Sequence, residues 1–290
     1  PGYTIATDMS NASLDVTLPI SSMSVKGVVS SAPSVLTAGT PYKLPTSNVY
    51  RIPVNGASRG RSRLEVTLSD GTIAVAHYLV LPSLPLQITR VAKHWSEVAW
   101  LPKDYPDPFG RGASVLPWDR EDLRHRFDDG RAYDVGLSDD AGAANNLGLA
   151  TSQAYSPIAS AVAKLDEYVE YTLYGTKPKT AKQPLKSLQY PHPNNGVRMT
   201  LYYYNQSYFP YNYTEKAECG VVAGLNYNWC MTEHQANATY RGFNYPHQIA
   251  VWYSLYRVAR NHPKIHTTRS WEYYLERAAN TTIRLGYARI

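Results

Sequence analysis

Two adjacent carboxylates, Asp139 and Asp140, have the residue type and spacing that best suit acid–base chemistry in this chain. They lie in the run YDVGLSDDAG, which ends at Gly142, and the two small residues after them allow the backbone to turn tightly. Hydrolysis of a glycosidic bond uses two carboxyl groups, one to protonate the leaving oxygen and one to activate water or attack carbon. Asp139 and Asp140 are therefore the predicted catalytic residues.

The pair is not a complete hydrolytic site by itself. In inverting glycosidases the two carboxyl groups stand roughly 6.5–9.5 Å apart, and neighbouring loop residues rarely face each other in that way. We expect Asp139 and Asp140 to supply one catalytic group and a partner that binds water or a hydroxyl. Asp134, Trp118 and Tyr133 would shape the adjacent subsite. The alternative is an Asx-turn, in which both carboxylates accept hydrogen bonds from nearby backbone N–H groups.

A second group of candidates follows the second cysteine. Glu233 and His234 could form an acid/base pair with Tyr240 and Arg241 nearby, although a lone His among aromatic residues is more often only hydrogen-bonded. Polysaccharide lyases use Asn, His, Tyr and Arg, and the corresponding set here is His234, Tyr240, Arg241 and Asn244. The sequence has no metal-ligand spacing, P-loop, dinucleotide fingerprint or Gly-x-Ser-x-Gly elbow, so neither a metal nor a cofactor is predicted.

The first group of candidates lies on one long irregular stretch, from Val98 to Ala150. Pro, Gly, Asp and Asn punctuate this stretch, and it shows no sustained period of a helix or a strand. It is too rich in aromatic and aliphatic residues to be disordered, and ordered loops of this length are usually functional. It is predicted to form the floor of an active site, in which Asp104 and Asp107 make turns and the charged run from Asp119 to Asp129 is solvated.

The composition favours surfaces that contact both apolar groups and water, and it argues against two classes of partner. The chain has 290 residues, of which 25 are Tyr and 4 are Phe, and Tyr combines an apolar face with a polar tip. The net charge is +6 and the pI is about 9.1. Because the Lys and Arg are scattered, no nucleic-acid partner is predicted, and no apolar run reaches the ~18 residues of a membrane span. An acidic polysaccharide fits this charge, as does a merely soluble basic protein.

Sequons and cysteines suggest a secreted protein, and the predicted localisation is extracellular. Because the chain begins with Pro1 and shows no signal peptide, we expect a processed or trimmed product. Cys219 and Cys230 would close a short disulfide loop, worth on the order of 2–3 kcal/mol. Chance would give roughly two Asn-x-Ser/Thr sequons, and coincidence is the alternative to glycosylation. The five sequons are at Asn11, Asn205, Asn212, Asn237 and Asn280.

The chain begins with a β-rich part and continues with a helical part. Residues 20–88 are predicted to form an immunoglobulin-like β-sandwich because their apolar and polar residues alternate, and residues 1–19 to be the tail of a preceding β domain. Residues 89–155 form the acid-rich linker and active-site loop. Helical periodicity dominates residues 156–290, with predicted helices from about Ser156, Pro246 and Thr268. A Tyr-rich hairpin insertion at residues 185–230 is predicted either to stack sugars or to pack with its hydroxyls at the water boundary.

The run from Trp100 to Gly148 resembles a large family of secreted fungal and bacterial proteins with a six-hairpin glycosidase fold, through WLPKDYPDPFGRG, PWDRED and YDVGLSDDAG. Asp140-Ala-Gly is also similar to the Asp-Ala-Gly-Asp motif of glycoside hydrolase family nine, whose final Asp is the general base. Ala143 occupies that position here, so the base would have to be Asp139 or Asp140. The resemblance implies an immunoglobulin-like module followed by the first helices of an (α/α)6 toroid.

A toroid has twelve helices and three are predicted here, so the chain is expected to be a fragment whose partner is the rest of the same toroid, possibly as a separate chain. The leading hypothesis is a secreted, inverting glycoside hydrolase that acts on a polysaccharide or oligosaccharide. The alternatives are a polysaccharide lyase on the same toroid and a non-catalytic carbohydrate-binding or cell-wall glycoprotein.

Overall fold

The computed structural model describes residues 1–9, 11–45, 47–107, 110–127, 137–138, 140–175, 187–190, 193–201, 220–222, 225–227 and 233–287. These residues divide into two compact units, Pro1–Ile88 and Thr89–Ile290. No helix in the described ranges is long and apolar enough to cross a membrane.

The described residues of the first unit form eight strands: β1 (Gly2–Ala6), β2 (Ser13–Thr17), β3 (Val25–Ser30), β4 (Leu36–Ala38), β5 (Tyr42–Lys43), β6 (Val49–Gly56), β7 (Gly60–Leu68) and β8 (Ile73–Leu81). One sheet has the strand order β1-β8-β7-β3, with β1 parallel to β8. The other has the order β2-β6-β4, and β5 also pairs with β6. Residues 1–19 thus contribute two strands to this unit.

Alternation along the strands explains the core of the first unit. In β7, Leu64, Val66 and Leu68 are buried while their neighbours are more exposed, as expected for a strand with one face against the core. Ile52 of β6 and Val80 of β8 are also fully buried in this core. Both sheets therefore contribute to one apolar cluster.

The second unit contains the end of α1 (Leu84–Lys93) and, in its described part, five further α-helices. These are α2 (Asp140–Tyr155), α3 (Ala159–Glu167), α4 (Glu233–Asn237), α5 (Tyr245–Asn261) and α6 (Trp271–Leu285). Two π-helical turns follow α1 and α3, at His94–Val98 and Tyr168–Leu173, and a 3-10 turn at Gly242–Asn244 precedes α5. Three short antiparallel pairs lie in the described part of this unit: β9 (Trp100–Leu101) with β10 (Ser114–Val115), β11 (Trp118–Asp119) with β12 (Arg124–His125), and β13 (Gly220–Val222) with β14 (Leu225–Tyr227).

Helices α2, α5 and α6 enclose the core of the second unit around the fully buried Trp252. The indole N–H of Trp252 donates to Oε1 of Gln189 at 3.0 Å, and Nε2 of Gln189 contacts Oγ1 of Thr281 at 2.6 Å. These bonds satisfy polar groups that would be costly to bury without partners.

The predicted immunoglobulin-like sandwich followed by a toroid is wrong. The structure is a mixed α/β arrangement of several small sheets and, within the described ranges, six α-helices. The parallel β1–β8 pair does not fit the antiparallel sheets of an immunoglobulin module. Between α3 and α5 the described chain forms a small β-ribbon and the five-residue helix α4, not a long hairpin of helices. The rest of a toroid was expected as a partner because of the predicted toroid fold, and that prediction is no longer supported.

The acid-rich stretch also differs from the prediction, because its last part is helical. Residues from Asp140 onward form α2, although the sequence DAGAANNLGLATSQAY looks like a loop. Its described buried residues are mostly small or polar, including Ala143, Asn146 and Gln153, and Leu149 is the only large apolar residue among them, so no apolar stripe marks the helix. The helix predicted from Ser156 is α3, which begins at Ala159.

Candidate functional site

A cavity of about 460 Å³ in the second unit is lined by two indole rings, two guanidinium groups and an imidazole. None of its described lining residues carries a carboxylate. We call it the tryptophan pocket, and it is lined by Arg90, Val91, His94, Trp95, Ala99, Leu116, Trp118, Arg120 and Asn145.

One wall comes from α1 and the π-helical turn that follows it. Arg90 and His94 share one face of the helical segment, because residues four apart lie one turn above each other, and Trp95 follows directly after His94. His94 and Trp95 are half-buried and Arg90 is exposed. A π-helical turn is rare and often occurs at functional sites, and this one places His94 and Trp95 at the cavity.

A short hairpin supplies the opposite wall. Trp118 in β11 lies directly across from His125 in β12, and the two rings meet edge to face with centroids 5.0 Å apart. Burial is the main cause that lowers the pKa of His125, and the Arg111 charge acts in the same direction. His125 is therefore a packing partner of the half-buried ring of Trp118.

The charge of the tryptophan pocket is positive. Asp119 adjoins Arg120, but its Oδ1 accepts the backbone N–H groups of Glu121 and Asp122 at 2.9 and 3.0 Å. These bonds lower the pKa of Asp119 and engage its carboxylate in a turn. Neither Arg90 nor Arg120 has an ion-pair partner within the described part of the chain.

The floor is fixed by hydrogen bonds between the short strands and α2. The N–H of Leu116 donates to the carbonyl of Ala99 at 3.0 Å, and the N–H of Val115 donates to Oδ1 of the buried Asn146 at 2.8 Å. Asn145 is adjacent in sequence to Asn146 and lines the cavity. The tryptophan pocket therefore rests on elements that are tied together.

The start of α2 lies beside the start of α5. The hydroxyl of Ser138 and Nδ2 of Asn244 both donate to the carbonyl of Met199, and Nε2 of Gln248 donates to the carbonyl of Leu137 at 3.2 Å. Asp140 is the first residue of α2. This arrangement brings the segment that leads to the predicted carboxylates close to Asn244 of the predicted lyase set.

The predicted catalytic and subsite residues have different placements. Trp118 lies in the tryptophan pocket, and Asp140 begins α2, although its side chain is not described. Asp139, Asp134 and Tyr133 lie outside the described residues. The same holds for Cys219, Cys230, Asn205 and Asn212. Of the other sequons, Asn237 accepts a hydrogen bond from Tyr190, Asn280 lies on α6, and Asn11 is exposed.

The predicted lyase set is only partly brought together. Nη1 of Arg241 donates to Oδ1 of Asn244 at 3.1 Å, and Nδ2 of Asn244 donates to the carbonyl of Arg198 at 2.8 Å. Asn244 is completely buried, so it holds the backbone and is not available to a substrate. Glu233 and His234 are exposed on α4, and Tyr240 is 52% exposed.

Sequence reasoning missed most of the tryptophan pocket, namely Arg90, His94, Trp95, Arg120 and Asn145. A signal existed for Arg90 and His94, because their spacing of four residues puts a guanidinium group and an imidazole on one face of a helix. Asn145 carries no signal of this kind. The described side chains form no group of three or more His, Cys, Asp or Glu that could hold a metal ion.

The chain belongs to the family of unknown function DUF5695, whose model matches residues 1–289. No curated protein matches it. Among solved structures, a polysaccharide lyase is similar with a TM-score of 0.51 and 11% sequence identity, over 90% of this chain and 30% of the lyase. At this identity the similarity concerns the fold, and the chain spans about 30% of the lyase's length. It does not support the six-hairpin glycosidase resemblance.

Proposed function

We propose that this chain binds an acidic polysaccharide in the tryptophan pocket and belongs to a protein that cleaves this polymer by β-elimination. The observation that carries the proposal is the lining of the pocket, in which the half-buried rings of Trp95 and Trp118 lie beside Arg90 and Arg120 without a carboxylate in the described lining.

The lining matches the two chemical surfaces of an acidic sugar. A pyranose ring has an apolar C–H face, which can stack on the flat face of an indole. Its carboxylate can accept paired hydrogen bonds from a guanidinium, whose planar geometry fits it better than an ammonium would. Trp95 and Trp118 would therefore hold the ring, and Arg90 and Arg120 would select the charge.

The fold supports cleavage by elimination over hydrolysis. The similar solved protein is named a polysaccharide lyase, and carrying that activity over to this chain is part of our proposal. In such a reaction a base removes the C5 proton of a uronate, the electrons of the C5–H bond form a C4=C5 double bond, the C4–O4 bond breaks, and O4 takes a proton from water. Neutralising the carboxylate makes the C5 proton easier to remove.

In this proposal Arg90 and Arg120 neutralise the carboxylate and the imidazole of His94 accepts the C5 proton. The predicted carboxylates are the basis of the competing hydrolytic mechanism. Asn145 follows Asp140 by five residues, or roughly 7.5 Å along the axis of α2, so a bound polymer could extend toward the start of that helix. The extracellular location, the disulfide and the glycosylation sites stay predictions.

The test incubates the chain with acidic polysaccharides and with the same polymers after reduction of their carboxyl groups. We expect binding of the acidic forms only, and a rise in ultraviolet absorbance from the unsaturated product that the His94→Gln variant loses while it still binds. New reducing ends without that absorbance would indicate hydrolysis instead of elimination. The Asp139→Asn and Asp140→Asn variants would then be tested for loss of activity. Binding without cleavage would leave a binding protein, and equal binding of both forms, or none, would overturn the proposal.

A further inference from the structure

A second cavity of about 440 Å³ lies between the turn at residues 193–196 and the end of α6. We call it the asparagine pocket, and it is lined by Pro193, Asn194, Asn195, Asn280, Ile283, Arg284 and Tyr287. We propose that it is a second carbohydrate-binding site, which takes an uncharged sugar residue. This inference goes beyond the proposed function and does not depend on it.

Two polar atoms of the lining residues have no hydrogen-bond partner among the described residues. One of them is an acceptor and the other is a donor. Oδ1 of Asn195 is a buried acceptor with no donor, and Nε of Arg284 is a buried donor with no acceptor, among the residues that the structure describes. A sugar hydroxyl both donates and accepts, so it can satisfy either atom. A carboxylate can only accept and an ammonium can only donate. Both atoms have almost no accessible surface in this structure, so a hydroxyl reaches them only after neighbouring side chains have moved.

The polar side of the pocket is held in place before any ligand binds. The carbonyl of Asn195 accepts from Nε2 of Gln189 at 3.1 Å, and its own Nδ2 donates to the carbonyl of Pro193 at 3.2 Å. Nη2 of Arg284 donates to Oγ1 of Thr239 at 3.2 Å. Binding would therefore immobilise few additional side chains, which lowers its entropic cost.

The outer side of the pocket offers apolar surface. Ile283 is 63% exposed and Tyr287 is 75% exposed, and both belong to the lining. The Tyr287 ring is a flat amphipathic surface that can lie along the C–H face of a sugar. Asn194 adds an amide donor and Asn280 an amide acceptor, because Oδ1 of Asn194 already accepts the N–H of Gly196 and Nδ2 of Asn280 donates to Glu276. This combination suits a hydroxylated ring better than a purely apolar ligand.

The sugar could come from two sources that share this chemistry. Asn280 begins the sequon Asn-Thr-Thr, so an N-linked N-acetylglucosamine attached to it would start inside the asparagine pocket. Alternatively, a residue of a separate glycan could enter. In both cases the ligand is an uncharged, hydroxylated ring, and the experiment has to distinguish the two sources.

The first arm uses the chain from a host without N-glycosylation and titrates it with N,N′-diacetylchitobiose by calorimetry. We expect binding that Tyr287→Ala weakens about tenfold or more, because the substitution removes the stacking ring. Tyr253→Ala is the matched control, since Tyr253 is 49% exposed on α5 and lines neither pocket. Trp118→Ala should also leave this binding intact, which separates the result from that of the tryptophan pocket.

The second arm uses the chain from a glycosylating host, in which mass spectrometry reports whether Asn280 is occupied and how fast an endoglycosidase trims it. Slow trimming that becomes fast in Tyr287→Ala, with unchanged thermal unfolding, would identify the attached glycan as the occupant. Free-sugar binding in the first arm would identify a separate glycan. Absence of both effects, or equal effects of Tyr287→Ala and Tyr253→Ala, would overturn the proposal.

Discussion

The indole ring of Trp95 lies so close to Gly148 of α2 that a Cβ at position 148 would stand 2.8 Å from Cζ3 of the ring. Real Cβ contacts are essentially never that short, so the glycine is required for this approach. The wall of the tryptophan pocket thus depends on a residue without a side chain, on a different element of the second unit.

The first prediction uses this dependence. In an exposed helix interior, Gly→Ala normally stabilises by about 1 kcal/mol, but Gly148→Ala should destabilise the protein by about 1–3 kcal/mol because the ring of Trp95 has to move. Urea denaturation measures the change. Ala144→Gly, at an exposed position of the same helix, supplies the propensity baseline. A stabilised Gly148→Ala protein would show that Trp95 moves aside at no cost.

The second prediction concerns the charge of the tryptophan pocket. Arg90→Gln and Arg120→Gln should each lower the affinity for an acidic oligosaccharide about three- to tenfold, because each removes a partner of the carboxylate. Their effect should shrink as salt is added, since both guanidinium groups are exposed. Arg257→Gln, which removes an exposed charge on α5, is the control. Equal losses in all three variants would mean that net charge alone attracts the ligand.

The third prediction concerns a buried ion pair in the loop between β9 and β10. Nη2 of Arg111 contacts Oδ1 of Asp107 at 2.8 Å, and the side chains are 1% and 0% exposed. Breaking such a pair leaves an uncompensated buried charge, so Asp107→Asn should cost about 3–5 kcal/mol in unfolding free energy.

The exposed pair of Asp122 and Arg124, at 58% exposure for each side chain, provides the control for that measurement. Asp122→Asn should change the unfolding free energy by less than about 1 kcal/mol. If both substitutions cost the same, the Asp107 pair is not the source of the stability.

The fourth prediction concerns the pH dependence of stability. Burial is the main cause that raises the pKa of Asp166 above its ordinary 3.8, while hydrogen bonds from Tyr274 and Thr268 partly oppose it. The folded protein therefore keeps this proton where the unfolded chain has released it. The resulting stabilisation is fully present below about pH 3.8 and is lost as the pH rises through the folded pKa.

Asp166→Asn cannot titrate, so the stability of this variant relative to the wild-type protein should increase as the pH rises above 3.8. Tyr274→Phe removes a hydrogen bond that lowers the pKa of Asp166. In this variant the stabilisation from Asp166 should therefore persist to higher pH. Chemical denaturation across the pH range measures both effects. A constant difference between Asp166→Asn and wild type would contradict the assignment.

The sequence predicted individual helices and strands better than it predicted which of them pair or pack together. The apolar stripes of α5 and α6 were readable because their residues recur every three to four positions. The alternation of β7 marked a strand, but alternation does not say which strand pairs with it, and the parallel β1–β8 pair was therefore missed. Helix α2 was hidden because most of its described buried residues, such as Ala143 and Asn146, are small or polar, and Leu149 alone does not make an apolar stripe.

The candidate site was predicted only in part, for a related reason. Trp118 was identified from its surroundings in sequence, and the structure places it in the tryptophan pocket. Trp95 and Asn145 reach the same pocket from segments 50 residues apart, and no local pattern connects them. The contact of Trp95 with Gly148 depends on tertiary packing, which spacing along one chain does not report.

The two indoles of the tryptophan pocket are proposed to bind an acidic polysaccharide. A calorimetric titration of an acidic oligosaccharide into the wild-type, Trp118→Ala and Trp271→Ala proteins measures their part in this binding. Trp271 is 37% exposed on α6 and lies outside the described lining of the pocket. We expect Trp118→Ala to weaken binding about tenfold or more and Trp271→Ala to bind like the wild type. Unchanged affinity in Trp118→Ala, or an equal loss in Trp271→Ala, would contradict the account.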